Sequence, residues 1–411
     1  KRYKREEDTF DTWFSSGQWP FVTTDVLQQG DLSRFYPTDM METGHDLIDR
    51  WVARMIMLGL YVTDQIPFKH VYMHGMVLDE KGKKMSKSKG NVINPMDLIA
   101  QFGSDALRMG IIANRSAGQN QAFAIDKVVA GRNFCNKLWN IARYVEGKVG
   151  ENTLLEKPSV QSLADHWIVA ELTRAKSSVE HYIATYRFAE AADTVYHTIW
   201  HSVADWYIQA TKREENISLM AWALDSCLKI AHPFAPFVTE TIWQAMERKT
   251  GLLISETWPE DMPTYSDIAA GEFGQLQELI GEIRYLTKEL GKRDYHLLYQ
   301  NDSLIEENAD LLMQFTGLQK VTKTLKPHGL RLAVLHREVW LEVDEKTLKK
   351  HKDHLVKRIK KVEETISQLE NRLQNESYVK NAPENLVNDS KQQLKDQTAL
   401  CGRLQRELTI L

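Results

Sequence analysis

Hydrophobic positions change their spacing several times along the 411 residues, and the changes divide the chain. Residues 1–40 hold no sustained period; strand-like or turn-like pieces are expected around DTWFSSGQWPF (11–21), with a stop at Pro37. From Gly44 onward Leu47, Trp51, Arg54, Met55 and Leu58 recur at three and four, which predicts a helix reaching about Gly59. HVYMHGMVL (70–78) is rich in apolar, β-favouring residues and precedes a charged turn, so it reads as a buried strand. A polar, glycine-bounded loop follows, then helices from about Pro95, giving an α/β region.

Between about 125 and 250 helical spacing is almost unbroken. Phe188, Ala192, Val195, Ile199, Val203 and Trp206 keep one face, and six of the eleven tryptophans fall between 130 and 250. A helix bundle with tryptophans in its core is the plain expectation. SETWPEDMPTYSDIAAGE (255–272) looks like a connector, and a helix followed by short strands fits 275–345. The last 66 residues differ. Leu355, Ile359, Val362, Ile366, Leu369 and Leu373 are spaced 4, 3, 4, 3, 4, a heptad seam that needs a partner. After a break at Asn381 and Pro383, Leu386, Leu394, Leu400, Leu404 and Leu408 supply one, so an antiparallel two-helix coiled coil is predicted. The fold class is mixed and mainly α, in four parts: 1–118, 119–272, 273–345 and 346–411.

Composition narrows the function classes. Lys+Arg is 52 and Asp+Glu 56, a net −4, so any basic surface has to be local. One candidate is 346–361, with eight basic residues against the single acid Asp353. Lys349, Lys350, Lys357, Arg358, Lys360 and Lys361 form either a solvated helix face or a strip for a phosphate backbone. The three cysteines are far apart without a CxxC pair, which excludes a disulfide scaffold and argues against cysteine-bound zinc. There is no apolar run of membrane-spanning length and no signal-peptide pattern, so a soluble, cytoplasmic protein without a membrane partner is expected. The chain opens on Lys1 without a methionine and reads as a fragment.

The loop Lys81–Asn91 carries five positive charges in nine positions (81–89). Their repulsion predicts an open, mobile loop hinged at Gly82 and Gly90, which a strongly anionic ligand such as a triphosphate would settle. A merely solvated lysine loop is the alternative.

Lys84, Met85, Ser86, Lys87 and Ser88 match all five letters of the KMSKS signature, and the loop resembles that of class I aminoacyl-tRNA synthetases. DTWFSSGQWPF (11–21), ETGHDLIDRWVARMIMLG (42–59), HGMVLDEKGKKMSKSKGNVINPMDLI (74–99), FGSDALRM (102–109), RNFCNKLWNIARYV (132–145), HPFAPFVTETIW (232–243) and NESYVKNAPENLV (375–387) look like valyl-tRNA synthetases, in their order. Isoleucyl-tRNA synthetases share the first four more loosely and lack the closing coiled coil. The resemblance implies the C-terminal half of a Rossmann-like catalytic domain, an anticodon-binding bundle, a small α/β junction and a coiled-coil arm at the outer corner of tRNA.

The same resemblance implies ATP-dependent activation of valine and its transfer to tRNA(Val). It also implies ATP with Mg2+ as substrate, no metal site in this chain, and a monomeric protein as the expectation. Lys87 and Lys84 would be catalytic; Lys84, Met85, Ser86, Lys87 and Ser88 would hold ATP, with His74, Gly75, Met76 and Val77 as the adenine-side wall. Asp46 would hold the valine ammonium, with Leu47, Trp51 and Trp13 around the side chain. Two local readings compete: Thr43-x-x-Asp46 fits a capping pattern, and Asp46 has an i,i+4 partner in Arg50, beside Asp49. The family's HIGH motif and editing domain do not occur in these 411 residues, so the chain alone is expected to be inactive or nearly so. A non-catalytic tRNA-binding fragment or paralogue is the alternative, and an isoleucine enzyme a more distant one.

Overall fold

The computed structural model describes residues 3–26, 30–113, 118–150, 157–213, 215–246, 249–334 and 337–410. It is mainly helical and falls into two compact units, residues 1–160, 168–208 and 216–264, and residues 161–167, 209–215 and 265–411. Among the described residues no helix is long and apolar enough to cross a membrane.

The first unit opens with helices α1 (Thr12–Gly17), α2 (Trp19–Val26) and α3 (Asp31–Phe35), where strand or turn pieces were expected. The reason is local: the Asp11 carboxylate caps α1 by accepting Trp13 N at 2.6 Å and Phe14 N at 3.2 Å. Strand β1 (Thr38–Gly44) leads through a 3-10 turn (His45–Leu47) and a π turn (Ile48–Val52) into α4 (Ala53–Thr63). β1 pairs in parallel with β2 (Phe68–His74), in register from Thr38↔Phe68 to Gly44↔His74. Val52, Met55 and Phe68 form a small core there with Met41, Trp51, Ile56 and Met73 around it. β2 is not the buried strand expected: Lys69, His70 and Val71 are exposed, since among the described residues β2 has only one partner strand.

The short parallel pair β3 (Val77–Leu78) and β4 (Gln121–Ala122) brackets α5 (Pro95–Phe102) and α6 (Ser104–Ile112). Leu98, Ala106, Leu107, Phe123 and Val128 make their core. Asn94 caps α5 by accepting Met96 N at 3.1 Å, just ahead of Pro95. Helices α7 (Ile125–Val149), α8 (Leu163–Ala184), α9 (Phe188–His197) and α10 (Ile208–Ala210) follow, with a π segment at Thr198–Tyr207 between the last two. Then come α11 (Ile217–Ala231) and α12 (Pro236–Ala245).

The tryptophans correct the sequence reading. Trp243 is fully buried and Trp167 nearly so, but Trp139 is 39% exposed and Trp200, Trp206 and Trp222 are only half-buried. Aliphatics and Phe134 fill the interior instead. Along α9 and the π segment after it the expected face holds at Ala192, Val195, Ile199 and Val203, but Tyr207 replaces Trp206 as the next buried residue. The wider π turn brings the fourth residue, not the third, back to the core.

In the second unit α13 (Asp267–Glu289) begins inside the stretch expected to be a connector, capped by Ser266, whose hydroxyl accepts Ala269 N at 3.3 Å. A mixed four-stranded sheet follows, in the order β6 (Lys320–Lys323), β5 (His296–Tyr299), β8 (Val339–Leu341), β7 (Leu330–Arg331). α14 (Ser303–Glu307) and α15 (Ala309–Thr316) join β5 to β6, a right place for helices because β5 and β6 are parallel. Phe273, Leu276, Ile280 and Ile283 of α13 are buried in this unit.

The chain closes with α16 (Glu345–Gln374), the short α17 (Glu376–Asn381) and α18 (Glu384–Ile410). α16 and α18 pack as a hairpin around Leu355, Ile359, Val362, Cys401 and Leu404, flanked by Ile366, Leu400 and Leu408. One expected seam residue is misplaced: Leu386 is 48% exposed, and its neighbour Val387 is buried in its stead. Polar groups also enter the seam. His351 Nε2 meets Glu407 Oε1 at 2.8 Å, both nearly out of contact with solvent.

Candidate active site

β1 and β2 end side by side at Gly44 and His74, and loops leaving the carboxyl ends of parallel strands are where α/β sheets bind ligands. A Cβ on Gly44 would lie 2.8 Å from Asp46 Oδ1 and 3.7 Å from His74 Cε1, so both side chains border one point. His74 Nε2 also reaches Glu42 Oε1 at 3.3 Å, and its Nδ1 lies 3.0 Å from Gly75 O.

Asp46 sits in the first turn after β1 with an exposed carboxylate. Both competing local roles fall away. The residue at the cap position is Gly44, without a side-chain bond, and Thr43 is buried within β1. Among the described residues no ion pair joins Asp46 to Arg50, because the 3-10 and π turns between them break the i,i+4 spacing of a regular helix. The carboxylate is thus left available to an ammonium group.

Trp51 and Leu47 are half-buried on the same turns, and Trp51 Nε1 donates to Ser16 O at 3.0 Å. That bond fastens α1 to the π turn. Trp13, also half-buried, lies under the Arg54 guanidinium at 5.9 Å, and Arg54 Nη1 reaches Asp11 Oδ1 at 3.5 Å. The two tryptophans are thus held where α1 meets the π turn, and among the described residues neither is hydrogen-bonded to Asp46.

His74-Gly75-Met76-Val77 departs from the simple picture of a base lying on a glycine. A Cβ on Gly75 would fall 1.7 Å from Gln119 O, so the close approach at this glycine is made by the chain's own backbone. Met76 N donates to Asn120 Oδ1 at 2.7 Å, and Gln121 N to Met76 O at 3.0 Å. Glu42, Tyr72, His74, Gly75, Arg108 and Phe234 line a cleft of about 440 Å³. Arg108 is held there by Pro233 O at 3.0 Å.

The lysine loop is not the open segment its charge suggests. Asp79 closes it: Oδ1 accepts Lys81 N at 3.0 Å and Lys83 N at 2.8 Å, and Oδ2 accepts Asn91 Nδ2 at 2.8 Å. Asn91 Oδ1 in turn accepts Ser86 N at 2.9 Å. One carboxylate and one amide therefore tie both ends of the signature, while Gly82 (φ 73°) and Gly90 (φ 65°) take the left-handed conformations these turns require. Lys87, Ser88 and Lys89 form a single 3-10 turn, and Lys84 and Lys87 stay exposed without an ion-pair partner among the described residues. Met85 and Ser86 are half-buried, and the Ser86 and Ser88 hydroxyls are 3.2 Å apart.

Asp79 and Asn91 were missed in the sequence, although Asp79-Glu80-Lys81-Gly82 has the Asp-first, Gly-last signature of a tight turn. Hydrogen bonds from Asn91 and the Lys83 backbone hold the Asp79 carboxyl below the usual 3.8. Stability from a lowered carboxyl is complete above 3.8 and lost as pH falls through the lower folded value, so the loop is expected to loosen only in strong acid. Asp79→Ala should loosen it at neutral pH, read as faster amide exchange at Lys83 and Ser86; unchanged exchange would show the loop needs no brace.

On α16, Lys349, Lys350, Lys357, Lys360 and Lys361 are exposed. Arg358 is a correction to the free basic strip: its Nη1 pairs with Glu289 Oε1 of α13 at 3.1 Å, which ties down the base of the hairpin.

Comparison with known proteins gives three family matches in chain order. They are tRNA synthetases class I (I, L, M and V) at residues 1–124, anticodon-binding domain of tRNA ligase at 165–294, and valyl tRNA synthetase tRNA binding arm at 347–411. The valine–tRNA ligase of Cereibacter sphaeroides is 34% identical over 420 residues, 95% of this chain and 42% of that protein. That of Bacillus subtilis is 32% identical over 448 residues, 100% of this chain and 50% of that protein. That of Geobacillus kaustophilus is 38% identical over 305 residues, covering 71% and 35%. Among solved structures, the LeuRS–tRNA–LeuAMS ternary complex of Agrobacterium radiobacter K84 has the same fold, with a TM-score of 0.56 at 16% identity over 78% of this chain and 42% of that one. The chain spans half or less of the length of these curated relatives. It belongs to the valyl-tRNA synthetase family of class I tRNA synthetases.

Proposed function

We propose that this chain provides the KMSKS part of a valine–tRNA ligase, which joins valine to AMP and passes the valyl group to tRNA(Val). The observation that carries the reading is the Asp79-braced loop, which presents Lys84 and Lys87 unpaired beside two small serines. A protein that only gripped tRNA would have no use for such a loop. In the reaction the valine carboxylate attacks the α-phosphorus of ATP, the bond to the bridging oxygen breaks, and pyrophosphate leaves with the electron pair. Charge grows on the β- and γ-phosphate oxygens as it leaves, and positioned cations are the effective catalysts of such a step. Lys87 would take that charge, with Lys84 beside it, while Asp46 holds the valine ammonium and fixes the attacking carboxylate. His74, Gly75, Met76 and Val77 would border the adenine, and Leu47, Trp51 and Trp13 the valine side chain.

Mg2+ would arrive with ATP; among the described residues no three His, Cys, Asp or Glu side chains gather to hold a metal. The finer division follows the same reading: residues 1–118 as part of a Rossmann-like catalytic domain, 119–272 as the anticodon-binding bundle, 273–345 as a junction and 346–411 as the tRNA arm. The arm would act through the exposed lysines of α16, which touch backbone phosphates without reading bases. Filter binding to valine tRNA across a salt series tests it. Truncation after Leu341 should weaken binding and flatten its salt dependence; an unchanged slope and affinity would sink the arm assignment.

A further inference from the structure

We propose that a basic cleft at the C-terminal end of α13, lined by Arg284, Lys288, Lys292 and Arg293, binds phosphodiester groups of an RNA backbone and so extends the contact of the α16 strip. The inference rests on the reading of the chain as a tRNA binder, but on residues that reading does not use. The cleft measures about 670 Å³ and has Phe315 and Thr316, at the end of α15, as its other wall. Arg284 and Lys288 are four apart on one face of α13, and past the helix end the turn at Gly291 (φ 75°), closed by Lys292 N bonded to Thr287 O at 3.1 Å, lets Lys292 and Arg293 continue the wall.

The partners of these four cations show which charges are spare. Arg284 Nε donates to Phe315 O at 2.8 Å, and Lys292 Nζ is 3.2 Å from Asp294 Oδ1. Part of the cluster thus serves the C-terminal ends of α13 and α15, where helix dipoles favour cations. Lys288 and Arg293 are exposed, and their side chains have neither ion pair nor hydrogen bond among the described residues. Like charges gathered at this spacing repel, and an anion in the cleft relieves the repulsion.

Continuity argues for a polymer over a lone small anion. Glu289, adjacent to Lys288, pairs with Arg358 of α16 at 3.1 Å and lies 3.8 Å from His354 Nδ1. The cleft therefore lies beside the junction of α13 with α16, the helix that carries the exposed Lys349, Lys350, Lys357, Lys360 and Lys361, and successive phosphates of one backbone would reach both.

The test uses the full 411-residue chain with Lys288→Gln and Arg293→Gln together, titrated with valine tRNA across a salt series. Each lost phosphate contact should lower the slope of log affinity against log salt by about 1. Lys288→Arg with Arg293→Lys should restore the slope, and because neither side chain has a partner the thermal unfolding of all variants should match. An unchanged slope and affinity in the Gln pair overturns the proposal. A parallel variant with Lys349, Lys350, Lys357, Lys360 and Lys361 changed to Gln separates the two readings. If only that variant flattens the slope, the cleft proposal fails; if only the cleft variant does, the cleft stands and the arm assignment fails. Calorimetric titration with inorganic phosphate closes the remaining route: saturable phosphate binding lost in the Gln pair, with the tRNA slope unmoved, overturns RNA as the occupant.

Discussion

Lys87→Ala should slow valine-dependent ATP–pyrophosphate exchange by about 10²–10³, or roughly 3–4 kcal/mol of barrier, in a polypeptide that joins this chain to the HIGH-bearing part of the family fold. The size follows from removing one preorganised charge donor from a step in which negative charge moves onto departing oxygens. Because Lys87 is exposed and has no ion-pair partner among the described residues, the variant should fold and melt as the parent does. Binding to tRNA should be unaffected. The loss is expected mainly in kcat, since an interaction that strengthens with departing charge acts on the transition state more than on bound ATP. Normal exchange by the variant would remove the catalytic reading of the loop.

Gly75→Ala should be the most damaging single methyl group in the first unit. Its Cβ would stand 1.7 Å from Gln119 O and 2.6 Å from Asn120 N, both backbone atoms that a rotamer change cannot move. Relief requires parting the strand from 119–121, with loss of the Met76 N–Asn120 Oδ1 bond and the Met76–Gln121 backbone bond. Overpacking of this kind costs about 3 kcal/mol or more, seen as a lowered denaturation midpoint. Gly147→Ala is the control. It adds a methyl within helix α7 where nothing lies within 4 Å, and should stabilise by roughly 0.5–1 kcal/mol. Equal stability of the two variants would show that the contact at Gly75 is soft.

The hairpin of α16 and α18 was legible because its signal is local and redundant: six apolar positions at heptad spacing leave few other places to put that face. Leu386 and Val387 show the limit, since adjacent residues in a looser pattern trade places by a small rotation of the helix. The KMSKS signature was legible for a different reason, as an ordered run of residue types, Lys84-Met85-Ser86-Lys87-Ser88. Its conformation was not, because counting positive charges says nothing of a single carboxylate, Asp79, placed to accept the backbone N–H groups between them.

What the chain determined by itself was therefore the largely helical stretch from about 125 to 250, the heptad seam of α16 and the run of residue types in the lysine loop. Each is written in neighbouring residues or in one repeating period. What only the tertiary structure decided depends on partners distant in sequence: the meeting of Gly44 with His74, the contact of Gly75 with Gln119, the capture of Arg358 by Glu289, and the exposure of Trp139. Periodicity gives the direction of a face, but contact also requires knowing which surface arrives opposite, and that is settled by packing across the whole unit.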